Sequence, residues 1–137
     1  MVTENFPSRF ESLAGIRDFV NLAAKDAGFN EKEIYAVELA VDEACANIIE
    51  HAYDGEGKGQ IECTCNNING GLEIIIKDDG KPFDPDSVPS PDFSVDLEDL
   101  QPRGAGLFII RNLMDDVSFT FSKNKGNILR MVKRKKE

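Results

Sequence analysis

The longest helical pattern in the chain runs from Asn30 to about Tyr53, and it carries two faces that an ordinary surface helix does not combine. Ile34, Val37, Val41, Ala44, Ile48 and Ala52 recur at three- and four-residue steps, the stripe by which a helix packs on a core. Asn30 followed three residues later by Glu33 is a capping pair that starts it. On broadly the opposite side, at about 100° per residue, Glu43, Asn47 and His51 recur every fourth residue. The flanks of that polar row are Ala36, Leu39, Ala40 and Ala46, where a solvated face would carry Lys, Glu and Gln. Something besides water should cover them. A buried carboxylate next to an amide is costly if unpaired, so the row points to a concave site holding an ion or polar ligand. The plainer reading of the row alone is a surface carboxylate with neighbours capping a helix end.

The other elements arrange themselves around that helix. Leu13, Ile16, Val20, Ala23 and Ala27 mark an earlier helix from about Glu11, closed by Gly28. After the turn residues Asp54 to Gly59, Ile61, Cys63 and Cys65 alternate with Glu62 and Thr64, the period of a half-buried strand. Asn69-Gly70 marks a tight turn into "LEIIIKD", residues 72 to 78, whose β-branched run suits the middle of a sheet covered at least partly on both faces. From Gly80 to Pro102 lie five of the six prolines, many acidic residues and no sustained period. Loops longer than about 12 to 15 residues are usually mobile insertions or lids over sites. "GAGLFIIRNLMDD" then restores helical spacing through Leu107, Ile110 and Met114. Val117, Phe119 and Phe121 alternate with Ser118, Thr120 and Ser122, and "KNKG" turns the chain into "NILRMVK". A short strand at "NFPSRF" would lie at an edge, given Pro7. The order helix, helix, hairpin, long loop, helix, hairpin specifies an α/β two-layer sandwich, with three helices on one face of a mixed, largely antiparallel sheet.

Length and charge narrow the partners. A chain of 137 residues suits one compact domain. Its formal charge of −9 argues against general affinity for nucleic acid or an anionic membrane, both of which need a basic face. Lys133, Arg134, Lys135 and Lys136 read as a solvated tail. Cys45, Cys63 and Cys65 lack C-x-x-C spacing and sit in apolar patterns, as reduced core residues of a cytoplasmic protein do. Neither a basic start followed by an apolar run nor an 18-residue apolar segment occurs, which argues against secretion and membrane spanning.

Two further constellations join the row. "KDDGKPFDP", residues 77 to 85, puts Asp78 at the end of a central strand and Gly80 in the turn after it. There a carboxylate can accept from a ligand amino group while the backbone approaches closely; taken singly, the same pattern is a common strand ending. "RGAGLF", residues 103 to 108, brings Gly104 and Gly106 to a helix start, where free N–H groups and the helix dipole favour phosphate, with Arg103 adjacent. A lone G-x-G is weak. The P-loop pattern and a strand leading directly into G-x-G-x-x-G are both missing, which excludes those nucleotide folds.

The order of these three signals, with a lid-like loop between the second and third, resembles the Bergerat (GHKL) ATP-binding fold of the histidine kinase-like ATPase superfamily. Within it the chain is most similar to the bacterial anti-sigma factor serine-protein kinases. "DEACANIIEHAY" looks like that family's N box, "DDGKPFDP" like its G1 box and "GAGLFIIRNLMDDV" like its G2 box, so the likeness covers nearly the whole chain. It implies that Asn47 completes the shell of a Mg²⁺ bridging the triphosphate, a hard ion suited to an amide oxygen. Glu43, one turn earlier, would be general base towards the attacking hydroxyl or water. Asp78 would accept from the adenine amino group, Gly80 would let the purine lie close, and Gly104, Gly106 and Leu107 would offer backbone N–H groups to the phosphates. An arginine that touches the γ-phosphate in related kinases is matched loosely by Arg103. His51 would have a structural or hinge role.

The chain also departs from the family pattern. The second glycine of the usual D-x-G-x-G is replaced, in Asp78-Asp79-Gly80-Lys81-Pro82. A threonine that commonly helps hold adenine falls here at about Asn127 or Ile128. The resemblance implies a cytoplasmic, ATP- and Mg²⁺-dependent serine/threonine kinase of one domain, residues 1–137, with an ATP lid over about 81–103. Its partners would be an anti-sigma factor antagonist and a sigma factor, without direct nucleic-acid or membrane contact, and a homodimer through an N-terminal edge strand and helix is expected. The alternatives are a non-catalytic ATP-binding switch and a stand-alone histidine kinase-type ATPase domain, the latter short of a phosphoacceptor hairpin.

Overall fold

The computed structural model describes residues 1–82 and 106–135. Helix α1 (Leu13–Asp26) follows a 3-10 turn at Phe10–Ser12, and α2 (Glu31–Asn47) runs on into a widened π-helical turn, Ile48–Ala52. Both helix boundaries between them are made by the residues the sequence offered. Asn30 stands extended and accepts from the Glu33 N–H at 2.8 Å, while Glu33 Oε1 accepts the Asn30 N–H at 3.0 Å, a complete capping box. At the other side of the linker Gly28 takes φ +88°. Its N–H donates to Lys25 O and the Phe29 N–H to Ala24 O, so the last carbonyls of α1 are satisfied in a Schellman arrangement.

Five strands complete the fold: β1 (Val2–Pro7), β2 (Gln60–Ile68), β3 (Gly71–Asp78), β4 (Asp116–Ser122) and β5 (Gly126–Arg134), with α3 (Gly106–Leu113) between β3 and β4. They form one sheet in the order β1-β2-β3-β5-β4. The sheet expected to be mixed or largely antiparallel is antiparallel at every described pairing. As expected from its apolar run, β3 is the central strand. The edge strand is real but lies earlier than "NFPSRF": it begins at Val2 and ends at Pro7, after which Ser8 is buried and its backbone and hydroxyl fasten to Gly57 and Gly59.

Alternation sorts the sheet into two faces. Ile61, Cys63 and Cys65 of β2, Leu72, Ile74 and Ile76 of β3, and Leu129 and Met131 of β5 join one buried cluster with Ile16 and Val20 of α1, Val37, Val41 and Ala44 of α2, and Ile110 of α3. Helices therefore cover one face, and the three cysteines are free thiols inside it. Helix α2 has α1 and α3 as neighbours. On the α1 side, Arg17 pairs with Asp42 at 2.5 Å and Asn21 donates to Glu38 at 2.7 Å, two contacts one turn apart on each helix. Being flanked on both sides explains why Ala36, Ala40 and Ala46 are buried like the apolar stripe. No helix among the described residues is long and apolar enough to cross a membrane.

Candidate functional site

The site forms where the end of the central strand meets the end of α2. Asp78 closes β3 opposite Asn127 of β5, and both side chains are buried, at 4% and 1% exposure. Asp78 Oδ1 accepts the Gly80 N–H at 2.9 Å and an Asn127 amide hydrogen at 2.8 Å; the other Asn127 amide hydrogen goes to Lys81 O at 3.1 Å. Burial pushes the Asp78 carboxyl above its ordinary pKa, against the pull of those two hydrogen bonds. The turn after β3 is thus bent around a carboxylate that no cation neutralises among the described residues' ion pairs.

Three contacts hold that turn to the end of the helix, and a fourth ties the same end to β2. The Lys81 N–H donates to Ala52 O at 2.8 Å, and the Asp79 N–H donates to the Tyr53 hydroxyl at 3.0 Å. Tyr53 passes its own hydrogen to Gln60 O at 2.7 Å, which ties in the start of β2. An exposed ion pair, Lys81 to Asp54 at 2.8 Å, closes the outside and holds the Asp54 carboxyl below its ordinary range. A Cβ on Gly80 would lie 2.6 Å from Ala52 O, so this glycine is required for the approach of the strand turn to the helix.

Along α2 the polar row divides. Glu43 is buried, at 9% exposure. Asn47, one turn on, ends the α-helical part and has a buried Oδ1 with no hydrogen-bond partner. An amide oxygen held away from water without a donor loses its hydration for nothing, unless a cation or donor from outside the chain meets it. His51 lies beyond, exposed, in the π-helical turn, a widening that is itself frequent at functional sites. Of three residues in one row, Glu43 is buried, Asn47 is half-buried with its Oδ1 shielded from water, and His51 is at the surface.

Asp78, Gly80, Glu43 and Asn47 stand on the two elements that the Ala52 and Tyr53 contacts join. Gly106 opens α3 and Leu107 is in its first turn, where N–H groups are free by construction. Arg103, Gly104 and all of the 81–103 lid beyond Pro82 lie outside the described residues. The expected role of Gly80 towards a purine is now accompanied by a structural one, against Ala52. Of the two positions at which the family's threonine falls, Asn127 faces the Asp78 side of the sheet; Ile128 is opposite Lys77 on the other face. Tyr53 escapes a reading of motifs, and Asn127 is placed by its family position alone. Tyr53 was visible as the last letter of "DEACANIIEHAY", but nothing local shows that its hydroxyl reaches Asp79. The Asn127 amide depends on a cross-strand register that the hairpin pattern does not fix.

Three helices on one face of a five-stranded antiparallel sheet are the frame of a histidine kinase-like ATPase domain. The model of the histidine kinase-like ATPase domain matches residues 6–133. Curated relatives are also similar over most of the chain. Serine-protein kinase RsbW of Halalkalibacterium halodurans is 35% identical over 131 residues, 93% of this chain and 78% of that protein. The proteins of the same name from Bacillus cereus and Bacillus anthracis are each 36% identical over 115 residues, 81% of this chain and 71% of theirs. The chain belongs to the histidine kinase-like ATPase family and, within it, to the RsbW serine-protein kinases. It is accordingly an ATP-using kinase domain.

Proposed function

We propose that this chain transfers the γ-phosphate of ATP, with Mg²⁺, to a serine hydroxyl of a small anti-sigma factor antagonist, and that it also sequesters a sigma factor. The observation that carries the reading is the orphaned, buried Oδ1 of Asn47 one turn from the buried carboxylate of Glu43. A neutral amide oxygen with no donor of its own fits a hard divalent cation, so the residues present suit Mg²⁺, with Asn47 as the protein ligand. When bound, that ion would supply charge neutralisation on the triphosphate.

The chain's own groups would do the rest. Asp78 accepts from the exocyclic amino group of adenine, and the N–H groups around Gly104, Gly106 and Leu107, with Arg103, meet the phosphates. Glu43 takes the proton of the attacking serine hydroxyl while its oxygen bonds to the γ-phosphorus and the bond to the β-phosphate oxygen breaks, leaving ADP. Residues 81–103 serve as the lid of a single domain, 1–137. The resemblance supports a cytoplasmic homodimer, and the relatives' name supports the serine acceptor.

Glu43 favours a kinase over a non-catalytic ATP-binding switch, because binding alone does not call for a base beside the metal ligand. The test is a phosphotransfer assay with the purified chain, Mg²⁺, ATP and a candidate anti-sigma factor antagonist. Phosphoserine on the antagonist is expected. Tight ATP binding with no phosphoserine would leave the switch and discard the kinase.

A further inference from the structure

Ser8, the residue that follows β1, is fully buried although the strand before it is almost wholly exposed. A polar group removed from water needs a partner, and Ser8 finds all of its partners in one loop, residues 54–59. Its N–H donates to Gly59 O at 2.9 Å, its carbonyl accepts the Gly57 N–H at 2.9 Å, and its hydroxyl oxygen accepts the Gly59 N–H at 3.0 Å. The β1–β2 ladder ends at Pro7 opposite Gln60. One step further the Ser8 carbonyl is taken by Gly57, so the hydroxyl stands in for it as the acceptor for Gly59. Three of the loop's six residues are glycine, with Gly55 at φ +130° and Gly57 at φ +77°. Such a segment has little stiffness of its own and takes its shape from what holds it.

The far side of Gly59 faces the nucleotide turn's own support. A Cβ on Gly59 would fall 2.5 Å from the Tyr53 ring, so the glycine backbone lies flat against that ring. The next residue, Gln60, takes the Tyr53 hydroxyl hydrogen on its carbonyl at 2.7 Å. With its hydrogen directed there, the hydroxyl oxygen is left to accept the Asp79 N–H at 3.0 Å, beside Asp78. We propose that Ser8 is a positioning residue for the nucleotide site, holding the Asp78–Gly80 turn through Gly59 and the Tyr53 hydroxyl. Resting on the nucleotide reading above, this gives a part in ATP binding to a residue that belongs to none of the three stretches resembling the N, G1 and G2 boxes. Removing the Ser8 hydroxyl leaves the Gly59 N–H without its acceptor, and the ring of Tyr53 loses the surface that aims its oxygen.

The test is a double-mutant cycle, which separates action through Tyr53 from plain weakening of the edge strand. ATP dissociation constants, with Mg²⁺, are measured on the full chain for wild type, Ser8→Ala, Ser8→Cys, Tyr53→Phe, the Ser8→Ala/Tyr53→Phe pair and Thr3→Val. The last removes the Thr3–Thr64 hydroxyl contact at 2.9 Å from the same strand without touching Gly59. Ser8→Ala and Tyr53→Phe should each weaken ATP binding about three- to tenfold, the scale of one hydrogen bond. The pair should be no weaker than Tyr53→Phe alone, and Thr3→Val should bind as wild type does. Hydrogen exchange at Asp79 should speed up in Ser8→Ala. Ser8→Cys, which keeps a weak acceptor, should show the same pattern at smaller amplitude and serves where Ser8→Ala does not fold. Wild-type affinity in the Ser8 variants overturns the proposal, as does a pair whose loss is the product of the two single losses. Failure of wild type to bind ATP instead overturns the nucleotide reading on which the proposal stands.

Discussion

Gly80 and Ala52 meet backbone to backbone: a Cβ on the glycine would sit 2.6 Å from the alanine carbonyl oxygen, and the Lys81 N–H donates to that same oxygen at 2.8 Å. The contact joins the turn carrying Asp78 to the helix carrying Glu43 and Asn47. Substitution Gly80→Ala must push the two apart or break the hydrogen bond, and the obstacle is backbone, which does not yield as a flexible side chain would. The expected cost is about 2–3 kcal/mol in urea unfolding, with ATP affinity falling as well. Gly70→Ala is the control. That glycine has φ +77° but open space around it, so only conformational strain is expected, about 1 kcal/mol, with nucleotide affinity unchanged.

Tyr53 makes the second bridge. Its hydroxyl donates to Gln60 O at 2.7 Å and accepts the Asp79 N–H at 3.0 Å, and its ring occupies the space where a Cβ on Gly59 would fall. Tyr53→Phe keeps the ring and removes both hydrogen bonds. Stability should drop by about 1–3 kcal/mol, because Asp79 N–H and Gln60 O lose their partner in a part-buried place. Hydrogen exchange at Asp79 should speed up in the variant; unchanged exchange there would show that the hydroxyl does not hold the turn.

How much of this was legible before the structure depends on whether the signal is local. The Asn30 box, the Gly28 stop, the Asn69-Gly70 hairpin and Asp78 at the end of a central strand each depend on residues within a few positions of one another, where capping and turn chemistry act. The polar row of α2 was legible as covered because its alanines are small. The placement of β5 beside β3, with β4 outside, was not, since neighbouring strands in sequence pair locally but their order across a sheet is set by the whole packing. Val2–Pro7 hides its pairing in part because Glu4 stands where alternation would call for an apolar residue opposite Cys63. Tyr53, Ala52 and Asn127 belong to the site through contacts of 26, 28 and 49 positions' separation, or nearly so, which no motif window spans.

Glu43 and Asn47 should separate in function. Glu43→Gln keeps size and hydrogen bonding but removes the base, so kcat for phosphotransfer should fall by about 10² to 10⁴-fold with the ATP dissociation constant within about threefold of wild type. Asn47→Ala should weaken Mg²⁺-dependent ATP binding and lower kcat together. In the absence of nucleotide it should cost little stability, because the atom removed is an unpaired buried oxygen. Isothermal titration and thermal melts on both variants check this. A large, equal loss of folding in the two would make the row structural.

Asp78 gives a pH prediction whose sign follows from its burial. The pKa of its carboxyl is raised from an ordinary 3.8, chiefly by desolvation, with Asp79 adding to the rise and the Asn127 and Gly80 hydrogen bonds opposing it. A carboxyl with a higher pKa folded than unfolded binds its proton more tightly in the native state. Its contribution to stability is therefore fully present below the unfolded value and is lost as pH rises through the folded one, so at pH 7 the ionised group subtracts from stability. Asp78→Asn removes that charge while its oxygen can still accept from Gly80 and Asn127. The nucleotide-free variant should be more stable than wild type at pH 7, and the gain should shrink as pH falls through the raised native pKa and the carboxyl takes up its proton. ATP affinity should move the other way, falling about 10- to 100-fold with the loss of a charged acceptor for the amino group. Urea unfolding of both proteins from pH 4 to 8 measures the first effect and nucleotide titration the second. A variant less stable than wild type at pH 7, with a gap that does not change with pH, would show that Asp78 is kept for the fold rather than held at a cost for the ligand.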